Sequence, residues 1–277
     1  MTDRNRSGRS GLAASFAAFL MGVAACLAWC TEALGQAPGP VAGHPNFAGI
    51  WQLNRQRGVK KVSPPDLPEG WRTFGTPDLP GPPLTRQAYE AVKAQRVKES
   101  QATNKQGGLD DQTARCARGG FPDFISFGDP LDIMQRPDEI IMVTERERQI
   151  PRHIWISPPH PLLPDYSPAR SGLLFNNGHS VAHWEGDTLV IESDSFDPGP
   201  WMFSIERLPH SDAMTTTERL SLSADGATLT DLLEIRDPKV LTAPWKLKFS
   251  WHRAPPGTEA LEGNCDIDLD YLGVNGK

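Results

Sequence analysis

Short runs of alternating apolar and polar residues recur along most of the chain and predict a β-rich fold. The clearest case is Gly178–Glu192, where His, Trp and β-branched residues flank the tight turn Glu185-Gly186-Asp187. Glycine and a carboxylate at a reversal, with alternation on both sides, are typical of a β-hairpin. We expect further strands at 46–53, 132–135, 139–145, 153–156, 214–222, 228–236 and 245–251. Eight or more short strands separated by tight turns predict one antiparallel barrel or sandwich.

One segment has a helical pattern. Between Thr85 and about Ala102, Ala88, Val92 and Ala94 recur among charged residues, and this weak apolar stripe predicts a helix on the outside of the domain. The preceding segment, 62–84, is rich in proline, which is incompatible with a helix or a central strand. It predicts an extended surface loop over one end of the core. The expected fold class is therefore all-β with one peripheral helix.

The first 35 residues have the layout of an export signal. Three arginines precede the uncharged apolar stretch 12–29, and residues 33–35 are the small type that a signal peptidase prefers. We expect cleavage near residue 36, a flexible leader over 36–45 and one β-rich domain over 46–277. The alternative is a retained membrane anchor, because the apolar stretch is almost long enough to span a bilayer. The expected location is periplasmic or secreted.

Charge and cysteine content narrow the expected partners. The net charge is −6 and the mature part has no long basic run, so nucleic acid is not an expected partner. Two of the four cysteines lie in the signal, and the other two, Cys116 and Cys265, are expected to form a disulfide in an oxidising compartment. Two unpaired thiols are the alternative. Neither a twin-arginine signal nor a nucleotide-binding or Gly-x-Ser-x-Gly motif is present, so no cofactor is expected.

Two motifs carry a resemblance to known proteins. With Asn46–Trp51 at the front and Gly178–Ser180 leading into the hairpin Trp184–Val190, the chain resembles a group of secreted bacterial proteins that has no settled activity. The Gly-x-Trp opening is also similar to the first strand of lipocalin-type barrels. These resemblances imply an extracytoplasmic, up-and-down barrel with a cavity for a small, mostly apolar compound. Ala182 departs from the group, where glycine is more usual, and this departure concerns the shape of the cavity.

Polar residues on the central strands are candidates for acid–base chemistry. His179 titrates near physiological pH and is the expected general acid or base, with Glu145 or Glu218 as its carboxylate partner. Arg152 is expected to stabilise a developing negative charge. The alternative for His179 is a structural role, in which it hydrogen-bonds the loop 176–177 before it.

Glu218 and its neighbour Arg219 alternate across one predicted strand, so only one of them can face inward. A charge inside the domain must be paired, because burying an isolated ion is costly. Arg152 or Asp237 is the expected partner of whichever charge turns inward.

Ligand contacts are expected from aromatic and imidazole side chains. His179 and His183 share a strand face but stand about 13 Å apart, too far to bind one metal ion. A site assembled across strands with His153 is the alternative, but zinc-like ligand spacing does not occur and no metal is expected. His160 is a candidate both for that alternative metal site and for contact with an organic ligand. The candidate ligand-binding residues are Trp184, Trp201, Trp245 and His160.

Three functions remain open. The first is an exported, cofactor-independent lyase, dehydratase or isomerase that acts by His–carboxylate chemistry on a hydrophobic or aromatic compound. The second is a carrier that binds such a compound without converting it. The third is a structural envelope protein whose barrel interior is filled by its own side chains. Only the first two require a ligand site.

Overall fold

The computed structural model describes residues 43–54, 72–73, 81–101, 119–126, 128–145, 150–156, 172–203, 208–261 and 263. All of them belong to one compact unit of the chain. Within these ranges the elements are, in chain order, β1 (Gly49–Leu53), β2 (Arg72–Thr73), α1 (Arg86–Gln101), α2 (Asp123–Ser126), β3 (Leu131–Gln135), β4 (Glu139–Thr144), β5 (Arg152–Ile156), β6 (His179–Glu185), β7 (Thr188–Asp194), β8 (Thr215–Leu222), β9 (Thr228–Arg236) and β10 (Trp245–Arg253).

Nine strands close into a barrel. β1 pairs with β3, the strands β3 to β10 follow in chain order, and β10 pairs with β1 again. The expected all-β barrel with a peripheral helix is confirmed. One pairing differs from an antiparallel meander, because β5 and β6 run parallel. The long connection 157–178 permits this, since parallel neighbours require a crossover of a dozen or more residues. Outside the closed ring, β2 pairs with β10 in parallel.

Alternation along the strands produces the core. In β9 every second residue is buried, and the same holds for β8 and most of β10. Side chains of one parity therefore fill the barrel while those of the other parity face outward. The apolar side chains that the strands bury include Trp51, Ile133, Ile140, Ile154, Leu189, Ile191, Leu233, Phe249 and Trp251.

The start of the domain closes one end of the barrel, which we call the hairpin end because the β3–β4, β6–β7 and β8–β9 turns lie there. The rings of His44 and Trp184 stack with centroids 4.3 Å apart, and Phe47 stacks on Trp184 at 5.5 Å. Gln135 holds this segment, since its Oε1 accepts from Phe47 N at 2.7 Å and its Nε2 donates to the Pro45 carbonyl at 3.0 Å. The first described residues are thus part of the folded barrel.

The opposite end, where β5, β6, β8 and β10 begin, we call the capped end. Helix α1 attaches there, because Thr85 N donates to the Val240 carbonyl at 2.8 Å in the β9–β10 connection. Thr85 also caps the helix through its Oγ1, which accepts from Ala88 N at 3.2 Å. Ala88 and Val92 are buried, as expected for the apolar stripe, whereas Ala94 is exposed and does not belong to it.

The short helix α2 was not predicted, and all four of its residues are buried near the capped end. Most of the proline-rich segment 62–84 lies outside the described residues. No helix in the described part of the chain is long and apolar enough to cross a bilayer. The export signal at 1–35 lies outside the described residues and stays a prediction.

Candidate functional site

A buried ion pair lies inside the barrel near the capped end. Arg152 enters from β5, and its Nη1 donates to Glu218 Oε1 at 3.0 Å while Nη2 donates to Glu218 Oε2. The prediction that the inward charge of the Glu218-Arg219 pair is matched by Arg152 is confirmed. Arg219 faces outward and pairs with Glu185 at 2.6 Å. Asp237, the other expected partner, instead accepts from Ser211.

Two serines complete the hydrogen bonds of the guanidinium. Nη2 of Arg152 lies 3.2 Å from both Ser180 Oγ and Ser193 Oγ, and the two hydroxyls are 2.8 Å apart. Register explains the grouping, since Ser180 and Ser193 are directly opposed on β6 and β7. The edge of the guanidinium therefore donates to one carboxylate and two hydroxyls within the protein. Its flat face is covered by Phe121, whose ring centroid lies 3.7 Å from the guanidinium carbon.

Asp231 is a third ionisable group in this interior. It is the next inward residue along β9 from Leu233, which is paired with Glu218. Burial raises its pKa well above the ordinary range, the charge of Glu218 raises it further, and Arg152 opposes the shift in part. These effects together favour the protonated, neutral form of Asp231. A side-chain hydrogen bond with Glu218 raises the pKa of Asp231 as well, while Oδ1 has no hydrogen-bond partner among the described residues.

The charges of this cluster therefore balance. With a proton on Asp231, one guanidinium faces one carboxylate and no net charge is buried. Asp231 was not among the predicted site residues, although the sequence carries a feature that marks it. Asp231 interrupts an inward-facing row in which Leu229, Leu233 and Ile235 are apolar, and such a position is costly unless a neighbouring group compensates it.

Aromatic side chains from loops form the cap. Phe121 stacks on Phe196 with centroids 6.4 Å apart, and Phe196 meets the edge of His210 at 6.2 Å. Gly178 makes room for this arrangement, because a Cβ on it would lie 2.6 Å from the Phe196 ring, and its φ of +67° also favours glycine. This explains the glycine that opens the Gly178–Ser180 motif. Gly178 allows the aromatic cap to pack closely on β6.

Three buried polar atoms near the capped end lack a hydrogen-bond partner among the described residues: His210 Nε2, Asn177 Oδ1 and Thr216 Oγ1. Asn177 precedes Gly178, on which Phe196 packs, and Thr216 lies directly opposite Ser193. Burial lowers the pKa of His210, a shift that the bond to Ser211 and the nearby acids oppose, so the imidazole is neutral. These atoms border the aromatic cap and the serine pair.

His179, the expected acid or base, lies on the outward face of β6. It is half-buried and directly opposite Asp194 on β7. Burial lowers its pKa, and the charge of Asp194 opposes this shift. Glu218 faces the interior, so the structure does not bring His179 and Glu218 together. Glu145 lies just beyond β4, where its Oε2 accepts from Leu261 N at 3.1 Å.

The candidate tryptophans do not share one site. Trp184 stacks at the hairpin end, whereas Trp245 begins β10 at the capped end and meets Phe203 edge-on at 5.4 Å. Trp201 is half-buried in the segment between β7 and β8. His160 lies outside the described residues. At the capped end, Trp245 was therefore predicted as a site residue, whereas Phe121, Phe196 and Phe203 were not.

The expected disulfide partners, Cys116 and Cys265, both lie outside the described residues, so the disulfide stays a prediction. His153 is engaged with a carboxylate, since its Nδ1 lies 2.6 Å from Glu139 Oε1. Among the described residues, no group of three or more His, Cys, Asp or Glu side chains could hold a metal ion. Comparison with protein-family models, curated proteins and solved structures yields no match to this chain.

Proposed function

We propose that this protein is an exported binding protein for a small apolar or aromatic molecule, which it holds at the capped end of the barrel. The observation that carries the proposal is the ring of Phe121 lying 3.7 Å over the buried guanidinium of Arg152. Glu218, Ser180 and Ser193 accept from the edge of the guanidinium, and Phe121 shows that its flat face accommodates a planar aromatic ring.

The surroundings support the same ligand class. Phe121, Phe196 and Phe203 are buried at this end, and an apolar roof over a few polar groups is typical of small-molecule sites. Arg152 and Glu218 already balance each other's charges beside the aromatic cap, so a neutral ligand adds no uncompensated ion. Binding requires only that the ligand replaces apolar contacts and meets one or two polar atoms.

Binding is favoured over turnover because the expected catalytic pair is not assembled. His179 faces outward, and both carboxylate oxygens of Glu218 accept from Arg152. A lyase, dehydratase or isomerase is the second candidate, and one specific observation supports it. Burial raises the pKa of Asp231 and lowers that of His210, and opposite shifts of this kind suit one acid and one base. In that case these two residues replace His179 in the proposed chemistry.

The test begins with the exported protein purified under native conditions. Mass spectrometry after denaturation should reveal a stoichiometric small molecule. Titration calorimetry with toluene should show saturable binding to protein stripped of that molecule. Phe121→Ala should strengthen toluene binding by opening the ring site over Arg152, whereas the control Trp184→Phe, at the opposite end, should not.

Carrier and enzyme differ in what happens to the recovered molecule. A carrier returns it unchanged after long incubation, while an enzyme yields a product of changed mass or bonding. Absence of both a retained molecule and saturable toluene binding would refute a ligand site at the capped end.

A further inference from the structure

Resting on the proposed binding function, we propose that the ligand carries a neutral hydroxyl group, as a phenol or an alcohol does, and that its O–H donates to Nε2 of His210. The hydroxyl is the polar part of such a ligand, whereas the aromatic cap contacts its apolar part. The two ring nitrogens of His210 have different surroundings.

Nδ1 of His210 lies 3.2 Å from the Ser211 carbonyl oxygen, which can only accept, so Nδ1 carries the proton. In the neutral ring Nε2 is then an acceptor. The residue is 5% exposed, and no described residue donates to Nε2. A buried acceptor without a donor is costly, and a ligand that supplies the donor removes the cost.

Asn177 repeats this arrangement. Its Nδ2 donates to the Ile150 carbonyl at 3.0 Å, which orients the amide and leaves Oδ1 as an acceptor without a donor among the described residues. Arg152 meanwhile already donates to Glu218 and the two serines. The capped end therefore presents acceptors that need donors, and a complementary ligand must bring at least one N–H or O–H group.

Charge selects the hydroxyl among such donors. The His210 ring packs against the edge of Phe196 in an apolar surrounding, where an ammonium group would lose its hydration. An anionic ligand would approach Asp197 and Asp237, whose charges act on His210. A neutral hydroxyl meets neither obstacle.

The test uses three probes of nearly the same shape: p-cresol, toluene and 4-methylbenzylamine. Calorimetry on the full mature protein at pH 7.5 should give p-cresol about tenfold tighter binding than toluene, the value of one net neutral hydrogen bond. The amine should bind no better than toluene. Equal affinity for p-cresol and toluene, or tightest binding of the amine, would overturn the hydroxyl assignment while leaving the proposed binding function intact.

Variants place the hydroxyl at His210. His210→Phe keeps a ring against Phe196 but removes the acceptor, so it should erase the tenfold preference for p-cresol over toluene. His210→Gln retains an acceptor oxygen and should keep part of the preference. The matched control His252→Phe changes an exposed histidine on the outer face of β10 and should alter neither affinity.

A preference that survives intact in His210→Phe would contradict the assignment to this residue. Should that variant fail to fold, the wild-type comparison of p-cresol with toluene still decides whether a hydroxyl is recognised. Binding of none of the three probes would instead refute the proposed binding function itself, so the two failures are distinguishable.

Discussion

Replacing Asp231 by Asn is a direct probe of the proton that the buried cluster holds. If Asp231 is neutral in the folded protein, Asn is a close mimic, since its Oδ1 keeps the acceptor and its Nδ2 can donate to Glu218 in place of the shared proton. The free energy of unfolding at pH 7 should then match or exceed that of the wild type. Any gain arises because Asn does not have to take up a proton on folding.

Glu218→Gln is the contrasting change of equal size. It removes the charge that balances Arg152, whose guanidinium is buried with 1% of its surface exposed. Removing one partner of a buried ion pair typically lowers the free energy of unfolding by about 3–5 kcal/mol. Asp231→Asn should lower the free energy of unfolding by less than about 1 kcal/mol, if at all. Two isosteric acid-to-amide substitutions in one cluster are thus expected to differ severalfold in the free energy of unfolding that they remove.

The dependence on pH has a definite sign. Because the pKa of Asp231 is raised in the folded state, the folded protein binds more protons than the unfolded chain above about pH 4. The contribution of Asp231 to stability is complete below that pH and is lost as pH rises through the folded-state pKa. The difference in stability between Asp231→Asn and the wild type should therefore grow, in favour of the variant, from pH 4 towards pH 8.

Urea unfolding followed by tryptophan fluorescence measures each free energy of unfolding from the midpoint and slope. The reasoning fails if Asp231→Asn is as destabilising as Glu218→Gln at pH 7. It also fails if the advantage of the variant shrinks with rising pH, because that trend belongs to an aspartate that is ionised in the folded protein.

Other predictions concern His210 in the aromatic cap, Gly49 on the closing strand β1 and the start of helix α1. Since burial lowers the pKa of His210, the wild type should lose stability as pH falls below about 6.5, and His210→Gln should lose less in urea titrations between pH 7 and 5. Gly49→Ala, at φ +124°, should cost about 3 kcal/mol, whereas Gly186→Ala, at φ +59° in open space, should cost about 1 kcal/mol in the same assay. Thr85→Ala should lower the free energy of unfolding by about 1 kcal/mol through loss of the helix cap, and an unchanged midpoint would contradict that role.

Much of the strand architecture could be predicted from local pattern. The expected strand at 228–236 agrees with β9 at both ends, and the expected hairpin is formed by β6 and β7. Alternation with period two and turn residues are properties of neighbouring residues, so they survive without knowledge of the rest of the fold. The need for a partner to an inward charge was also predictable, with Arg152 and Asp237 as the two candidates, because a buried ion requires compensation; the structure shows Arg152 in that place.

The composition of the candidate site was not predictable in the same way. Alternation established that His179 and Ser180 face opposite ways, but both faces of β6 carry apolar residues, so the pattern alone did not say which face turns inward. That choice depends on closure of the barrel through β1 and β10. The closed ring buries Ser180 and leaves His179 outside.

Long-range pairing also decided which polar groups meet. Asp231 lies beside Glu218 only because β8 and β9 pair in one particular register, and Phe121 and His210 come from loops that have no periodic pattern. The sequence by itself determined the strands, the turns and the need to balance an inward charge, since these follow from local geometry and solvation. Only the tertiary structure decided the occupants of the capped end, because contacts between segments far apart in the chain depend on how the sheet closes.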